Sequence, residues 1–430
     1  MALWLSTSAA DFEDRFADFL NAKREQAVDV RDVVSGIISD VQARGDAALK
    51  EHTAKFDRFE LDASGLAFSE DEIANAVEET DPETLDALKF AADRIRSHHL
   101  KQLPDDQRYT DALGVELGYR WTPIDNVGLY VPGGLANYPS SVLMNAIPAS
   151  VAGVPRIVMV VPTPDGVVNP LVLAAAHLSG VTEIYRIGGA QAVAALAYGT
   201  DTIRPVDKIT GPGNAFVAEA KRQVFGQVGI DMIAGPSEVL VIADGDNDPN
   251  WIAADLLAQA EHDEAAQSIL ITDDEAFARS VEDAVDHQLS TLPKRKIASK
   301  SWRDFGSIIL VDKIEDSVPL ANRIAAEHLE IATADPDALF DEVRNAGAVF
   351  LGRHTPEAIG DYVGGSNHVL PTARSARFSS GLSVLDFMKK TTILKCGPEQ
   401  LAGLGPAAVK LADAEGLAAH GRSITVRSNR

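Results

Sequence analysis

One helix-forming stretch in the middle of the chain carries side chains that can bind a metal. Asp255, Gln259 and His262 follow one another at spacings of four and three residues, which places them on one face of a helix. A lone histidine on a helix is more often structural, and glutamine is a rare metal ligand. The spacing therefore indicates a metal site only if further ligands come from elsewhere in the chain.

Further titratable residues lie in the second half of the chain. Glu327 and His328 are adjacent in an apolar-flanked stretch that we interpret as a helix end, where two such groups are hard to bury without purpose. A solvated helix terminus is the competing interpretation. Asp361 and His368 lie seven residues apart in a short, turn-rich segment. Such a loop can bend around a ligand, which favours a functional role.

The donor types also restrict the metal. Histidine, aspartate and a neutral amide oxygen suit zinc or manganese in a catalytic site with open positions, and the sequence leaves both metals open. Cys396 is the single cysteine, so neither an intramolecular disulfide nor a thiolate cluster is available. Glu415 and His420 lie five residues apart near the end, and by themselves are typical of a surface.

Three glycine-rich stretches predict backbone that a ligand can approach closely. They are Tyr130–Gly134, Gly188–Gln191 and Gly211–Asn214, each between a predicted strand and a predicted helix. Glycine admits the ligand, and the first turn of the following helix offers free N–H groups to phosphate. None has the strict glycine spacing of a dinucleotide fingerprint. The sequence therefore leaves open both nucleotide binding and plain structural turns.

The elements that must position these residues follow an α/β pattern. From about residue 127, short apolar runs alternate with helix-length segments, as in parallel strands joined by helices. The predicted strands are Val127–Val131, Ile157–Val161, Val181–Ile187, Val239–Ile242, Ser268–Ile271, Ser307–Val311 and Gly347–Leu351. Residues 11 to about 105 have helical periodicity, and the stretch from 379 is largely helical, with a turn at Gly403–Pro406.

We therefore predict an α/β fold of two doubly wound, incomplete Rossmann-like parallel-sheet domains, with small helical N-terminal and C-terminal lobes. The N-terminal lobe is residues 1–28, and the C-terminal lobe is residues 379–430. The first α/β domain is discontinuous, joins 29–128 with 238–378, and holds the metal-site and catalytic candidates. The second α/β domain is 129–237 and holds the glycine-rich turns.

Composition excludes several classes of function. The formal net charge of −24 repels phosphate backbones and anionic lipids, so we expect neither nucleic acid nor membrane as a partner. The first residues have no basic region and no apolar run of signal-peptide length. Together with the single cysteine, this predicts a cytoplasmic protein.

Read together and in order, the motifs resemble the histidinol dehydrogenase family. The resemblance covers the chain from about Trp121 to His420, and the first hundred or so residues carry no distinctive motif. The matching strings are Gly-Leu-Tyr130-Val-Pro-Gly-Gly, Gly-Gly-Ala-Gln191-Ala, Gly-Pro-Gly-Asn214-Ala-Phe, Ala-Gly-Pro-Ser237-Glu-Val-Leu, Gln259-Ala-Glu-His262, Glu327-His328-Leu and Ser-Asn-His368-Val-Leu-Pro-Thr.

The resemblance implies a zinc-dependent, NAD-linked oxidation of L-histidinol through L-histidinal to L-histidine, the last step of histidine biosynthesis. It implies one zinc per subunit, with the ligands Gln259, His262, Asp361 and His420. NAD would bind to domain 129–237 and contact Tyr130, Gln191 and Asn214. Substrate would contact Ser237, Gln259, His262, His328, Asp361, His368, Glu415 and His420. It also implies a homodimer whose C-terminal lobes cross, so that Glu415 and His420 serve the neighbouring subunit's site.

The two oxidations assign roles to the adjacent pair. A hydride leaves an alcohol readily only if a base removes the hydroxyl proton, and His328 fits because imidazole titrates at roughly 6.5. The second oxidation needs a hydrated aldehyde, and Glu327 is placed to activate the water. The thiol of Cys396 lies outside every motif, so we favour this route over a thiohemiacetal.

Two alternatives remain at this point. A relative in the same superfamily could oxidise a different small diol, such as a sulfonated propanediol, although Glu327, Glu415 and His420 together favour histidinol. A catalytically silent NAD- or zinc-binding module is the second alternative. The presence of both proton-transfer groups and the whole ligand set argues against it.

Overall fold

The computed structural model describes residues 2–22, 30–61, 65–133, 138–233 and 235–428. Its helices are α1 (Phe12–Asn21), α2 (Arg31–Arg44), α3 (Asp46–Asp57), α4 (Glu70–Glu79), α5 (Pro82–Leu100), α6 (Pro139–Val151), α7 (Pro170–Ser179), α8 (Gly189–Tyr198), α9 (Ala215–Val224), α10 (Pro249–Ala260), α11 (Glu275–Leu289), α12 (Arg295–Phe305), α13 (Ser317–Ile324), α14 (Pro336–Phe340), α15 (Glu357–Tyr362), α16 (Pro398–Ala414) and α17 (Ala418–Ser428). Within these ranges, none of the helices combines the length and apolarity needed to cross a bilayer.

The strands form three sheets. They are β1 (Leu3–Ser6), β2 (Gln107–Thr110), β3 (Glu116–Pro123), β4 (Asn126–Tyr130), β5 (Arg156–Val160), β6 (Glu183–Tyr185), β7 (Lys208–Thr210), β8 (Gly229–Ile230), β9 (Glu238–Ala243), β10 (Gln267–Thr272), β11 (Ser307–Leu310), β12 (His328–Ala332), β13 (Ala348–Leu351) and β14 (Met388–Lys395). All seven predicted strands are confirmed, with ends shifted by a few residues.

Both larger sheets are parallel and share one winding. The five-stranded sheet has the order β6-β5-β4-β7-β8, so its chain winds outward from β4 in both directions. The six-stranded sheet repeats this order around β9, as β11-β10-β9-β12-β13, with β1 added beside β11. Two parallel-sheet units of this kind confirm the predicted α/β class.

Each sheet is covered on both faces because most residues of its central strands are apolar. In the six-stranded sheet, Val239 and Val241 of β9 pack on the side of α10, α11 and α12, while Leu240 and Ile242 pack on the side of α1 and α13. The five-stranded sheet has the same alternation, with α5, α6 and α7 on one face and α2, α8 and α9 on the other. This double covering is what a doubly wound fold requires.

The N-terminal quarter packs differently from the predicted domain division. Strand β1 extends the six-stranded sheet, and Phe12 and Phe16 of α1 join its core, so residues 2–22 do not stand apart as a helical lobe. Helices α2 and α5 bury Val34 and Ile95 against the five-stranded sheet, rather than against the first α/β domain. An apolar helix face indicates that the helix is buried, but it does not indicate which sheet the helix packs against. The exact domain boundaries stay a prediction.

The C-terminal region holds a strand as well as helices. Strand β14 pairs antiparallel with β3, which pairs with β2, and α16 and α17 follow as a hairpin. The predicted turn at Gly403–Pro406 is wrong, because these residues lie inside α16. Glycine serves close packing there: a Cβ atom on Gly405 would lie 3.2 Å from Cγ2 of Ile424 on α17.

Strand β12 corrects a further prediction. His328 is its first residue and Glu327 precedes it, so the pair does not lie at a helix end. The strand is central, and all five residues His328–Ala332 are buried. His328 and Glu330 interrupt its apolar pattern. Both lie on the face of the strand that is turned towards the candidate site.

Candidate metal and catalytic site

The winding of the six-stranded sheet gathers the candidate residues at one edge. Helices that connect parallel strands run back against them, so they end near the amino ends of the strands. Gln259 lies in the last turn of α10, and Asp361 in the last turn of α15. His328 begins β12 on the face that α10 covers. Three residues far apart in sequence therefore meet at the amino edge.

The imidazole of His328 is held in one tautomer. Its Nδ1 lies 3.0 Å from the backbone oxygen of Glu238, which can only accept, so Nδ1 carries the proton. Nε2 keeps its lone pair and is buried with no hydrogen-bond partner among the described residues. It lies 4.0 Å from Oδ1 of Asp361. Burial is the main cause that lowers the pKa of His328 to about 3.

The carboxyl group of Glu327 is equally buried. The backbone N–H of Glu238 donates to its Oε2 at 3.0 Å, and the Ser237 side chain also hydrogen-bonds to it. Burial outweighs these bonds and raises the pKa of Glu327 to about 8. The side chain is therefore neutral at lower pH and becomes a proton acceptor only as the pH approaches this value.

Asp361 completes a compact group with His328 and Glu357. Each of the three offers a ligand atom, and these atoms lie within 4.8 Å of one another, close enough to share one metal ion. Oε1 of Glu357 is 3.4 Å from Nδ1 of His328. Burial raises the pKa of Asp361 to about 6 and that of Glu357 well above its ordinary value. Such grouping of desolvated carboxyl groups favours a cation.

Gln259 fits a metal on independent grounds. Its side chain is fully buried, and neither its oxygen nor its nitrogen has a hydrogen-bond partner in the described parts of the chain. A buried carboxamide without partners is costly, which points to a ligand at this position. An amide oxygen beside imidazoles and carboxylates is a hard-to-borderline donor set, as zinc or manganese requires. The residues present therefore fit a divalent metal.

Two more predicted histidines lie in the same neighbourhood. His262 follows α10 in a turn, and its charge lowers the pKa of both His328 and His368. His368 has Nδ1 3.8 Å from Oδ1 of Asp361, and burial lowers its pKa to about 4. Asp255, by contrast, lies one helical turn before Gln259, and its side chain hydrogen-bonds to Glu330. Of the three residues predicted to share a helical face, Gln259 and His262 therefore lie at the amino edge of the six-stranded sheet, and Asp255 does not.

The predicted cofactor residues lie at the carboxyl edge of the five-stranded sheet. Tyr130 ends β4, Gln191 lies in the first turn of α8 after β6, and Asn214 caps α9 after β7. The Tyr130 hydroxyl accepts from Gly189 N at 3.0 Å. Strands β4 and β7 flank the point where the winding reverses, which is where doubly wound sheets bind ligands.

A buried ion pair shapes one of these turns. Lys221 of α9 pairs with Asp231 and also donates to the backbone oxygen of Gly211 at 3.0 Å. Asp231 Oδ2 accepts from Gly211 N at 2.8 Å. Gly211 has φ +114°, and a Cβ atom there would lie 2.0 Å from Tyr130 O, so only glycine fits.

The two edges face each other. Tyr138 begins the helical segment that follows the first glycine-rich turn, and the charge of Asp263, next to His262, raises its pKa along with burial. Tyr362, next to Asp361, interacts with Tyr138 as well. Asn367, next to His368, donates to the backbone oxygen of Met144 on α6 at 2.6 Å. A ligand on the five-stranded sheet would therefore extend towards the metal-site group.

Comparison with known proteins identifies the family. The family model for histidinol dehydrogenase matches residues 20–428. The chain belongs to the histidinol dehydrogenase family. It is 68% identical to histidinol dehydrogenase of Mesorhizobium japonicum and 69% identical to that of Bradyrhizobium diazoefficiens, each over 100% of both chains. The crystal structure of histidinol dehydrogenase from Elizabethkingia anophelis superposes with a TM-score of 0.95 at 38% identity, covering 99% of this chain and 98% of the other.

Two residues that the family resemblance assigns to the site lie elsewhere in this single chain. Glu415 follows α16 and His420 lies on α17, and both are exposed. In this single chain both side chains belong to the α16–α17 hairpin rather than to the edge that holds Asp361, His328 and Gln259. Their predicted roles in a histidinol dehydrogenase site therefore depend on a second subunit.

The structure also adds a residue that the sequence interpretation missed. Glu357 lies four residues before Asp361, one helical turn away on the same face of α15. This spacing is present in the sequence, but the turn-rich segment that contains Asp361 and His368 predicts no helix, and Glu357 lies before that segment. The Glu238 carbonyl, which fixes the His328 tautomer, has no sequence signal because its role belongs to the backbone.

The raised pKa of Glu327 predicts a measurable effect on stability. Folding raises this pKa from 4.5 to about 8, so the folded chain holds the proton more tightly and the free energy of unfolding falls as pH rises between these values. Glu327→Gln cannot ionise. In metal-free protein the variant should match wild type near pH 5 and exceed it near pH 8 by on the order of a few kcal/mol, measured by urea unfolding.

Glu79→Gln, at an exposed position on α4, is the matched control. Comparing each variant with wild type removes the opposing contributions of the buried histidines. A difference between Glu327→Gln and wild type that stays constant from pH 5 to pH 8 would contradict the assignment.

Proposed function

We propose that the protein is a zinc-dependent, NAD-linked histidinol dehydrogenase that oxidises L-histidinol through L-histidinal to L-histidine, the last step of histidine biosynthesis. The observation that carries the proposal is the site itself. Among the described residues, a buried imidazole whose Nε2 has no hydrogen-bond partner, a buried carboxyl group and metal donors without hydrogen-bond partners lie together, opposite the turns of a doubly wound sheet. Family membership supplies the substrate.

Zinc would be held by Gln259, His262, Asp361 and His420 of the partner subunit. When bound, zinc would supply a template that orients the imidazole and amino nitrogens of histidinol. Manganese is the other ion that suits these donors. Substrate contacts would come from the ligand residues and from Ser237, His328, His368 and Glu415 of the partner subunit.

NAD would lie across the carboxyl edge of the five-stranded sheet and accept a hydride in each oxidation. Tyr130, Gln191 and Asn214 would orient it. Asn214 already accepts from two backbone N–H groups as the cap of α9, so its role is to fix the helix end that faces the cofactor. Tyr130 fixes the start of α8 through Gly189 in the same way.

His328 is the base in our proposal for the hydride transfers. Its Nε2 is unprotonated over the physiological range, because burial places its pKa at about 3 rather than near 6.5. This low pKa leaves it ready to accept a proton but makes it a weaker base than an ordinary imidazole. The carboxyl group of Glu357, 3.4 Å from Nδ1, would stabilise the imidazolium that forms once that carboxyl group is ionised.

Glu327 would remove a proton from the water that adds to histidinal. Only the carboxylate can do this, and burial raises its pKa to about 8, so the second oxidation should accelerate as the pH rises towards that value. Its two hydrogen bonds, from Glu238 N and Ser237, hold the carboxyl group in place.

The proposed assembly is a homodimer with shared sites, in the cytoplasm. Helices α16 and α17 pack mainly on each other, and their outer apolar side chains are exposed, including Leu411 at 64% and Val426 at 60%. A hairpin that extends from the body of one subunit suits a crossing to its partner. The single cysteine suits a reducing compartment.

Glu327→Gln separates the two oxidations. Wild type should form two NADH per histidinol consumed, whereas the variant should oxidise histidinol, release or retain histidinal, and fail at the second step. The measurement is NADH yield in single turnover, with histidinol and histidinal as separate substrates. Equal loss in both half-reactions would refute the division of labour between Glu327 and His328.

His262→Asn tests the metal assignment. We expect the variant to lose stoichiometric zinc, because an amide does not replace an imidazole nitrogen at the same reach. The readout is metal content per chain after dialysis. His354→Asn, at an exposed position whose ring contacts Trp251, is the control and should retain full zinc. Retention of full metal by His262→Asn would remove His262 from the ligand set.

A further inference from the structure

A pair of carboxyl groups, one half-buried and one buried, lies behind the candidate metal site. Asp255 of α10 and Glu330 of β12 hydrogen-bond to each other, and Glu330 is only 3% exposed. Two carboxyl groups can share a hydrogen bond only if one of them carries a proton. Burial raises the pKa of Asp255 to about 6 and that of Glu330 well above its ordinary value, which is consistent with one proton on Glu330.

The pair also binds a third element. The backbone N–H of Glu357, the first residue of α15, donates to Oε1 of Glu330 at 2.7 Å. This N–H group is buried, so Glu330 is its necessary acceptor. The carboxyl pair thus joins α10, β12 and α15 at one point inside the protein.

Each of these three contacts lies one structural repeat from a site residue. Gln259 follows Asp255 by four residues, one helical turn along α10. His328 precedes Glu330 by two residues, on the same face of β12. Asp361 follows Glu357 by four residues, one turn along α15. Hydrogen bonds among Asp255, Glu330 and Glu357 therefore fix the distances among the neighbouring site residues, which are Gln259, His328 and Asp361.

We propose that the Asp255–Glu330 pair is a positioning device that sets the distances among Gln259, His328 and Asp361. The pair itself touches neither substrate nor metal. This inference rests on the proposed metal site, because Gln259 and Asp361 are proposed ligands of that site and His328 is the proposed base beside them. Its shared proton lets two acidic side chains join three elements without burying two charges.

The test compares two replacements of Glu330 that differ in hydrogen bonding. Glu330→Gln keeps the join, since its amide oxygen can accept from Glu357 N–H and its amide nitrogen can donate to Asp255. Glu330→Leu has a similar size and can do neither. We expect the glutamine variant to bind zinc nearly as tightly as wild type, and the leucine variant to bind it roughly 10–100-fold more weakly.

The readout is the zinc dissociation constant of the full chain, measured by competition with a chelator. Asn247→Ala is the matched control, because Asn247 donates to the Ala332 oxygen at 2.6 Å, a buried hydrogen bond at the opposite end of β12. It should destabilise the same sheet without changing zinc affinity. Asp255→Leu breaks the join from a partly exposed position and serves if Glu330→Leu does not fold.

The outcomes separate the two proposals. Wild type that binds no zinc would overturn the proposed metal site and the positioning role with it. Zinc binding by wild type, together with unchanged affinity in Glu330→Leu or Asp255→Leu, would overturn the positioning role alone. Equal weakening in Asn247→Ala would also overturn it, because general destabilisation would then account for the loss.

Discussion

Burial of titratable groups at the amino edge of the six-stranded sheet is the constraint on which the site depends. Desolvation raises the pKa of Glu327, Glu357 and Asp361 and lowers that of His328 and His368. In each case it favours the uncharged form. A cation among these groups has the opposite effect on the carboxyl groups, because it favours carboxylates, and it binds neutral imidazoles directly. The same burial that costs folding energy thus favours a bound metal.

The candidate metal-site residues and the predicted cofactor residues lie at opposite edges of two sheets that share one winding. The five-stranded sheet follows the usual rule for doubly wound folds, with its glycine-rich turns at the carboxyl edge. At the carboxyl edge of the six-stranded sheet, Arg353 pairs with Asp244 at 2.7 Å. This ion pair occupies the position beside β9 and β12 where the winding order reverses. Asp244 also accepts from Ala334 N at 2.8 Å. Its amino edge, where α10 and α15 end, therefore holds the candidate site.

Hydrophobic periodicity predicts most of the apolar strands, but it does not predict which helices pack on which sheet. The apolar strands were found because both faces of a parallel sheet are buried. The sequence pattern does not predict strand β12, because His328 and Glu330 interrupt its apolar run. His328 belongs to the candidate site, and Glu330 belongs to the carboxyl pair behind it. The covering of the five-stranded sheet by α2 and α5 was missed because an apolar helix face does not specify its partner.

The candidate site was predicted mainly through motifs that the family resemblance ordered. His262, Asp361, His328 and His368 do lie in one neighbourhood of the structure. Gln259 lies at the same edge of the sheet, in the last turn of α10. Spacing alone could not bring them together, since they come from four separate elements and loops. Glu415 and His420 stay a prediction, because a single chain leaves both exposed.

Replacement of Gln259 by leucine tests the central claim most directly. The measurement is the free energy of unfolding of wild type and Gln259→Leu, each with and without saturating zinc. The buried carboxamide has no hydrogen-bond partner in the parts of the chain that the structure describes. The leucine variant should therefore equal or exceed wild type in stability without metal and gain little from zinc, whereas wild type should gain strongly. A variant that is less stable without metal and is stabilised by zinc as much as wild type would contradict the account.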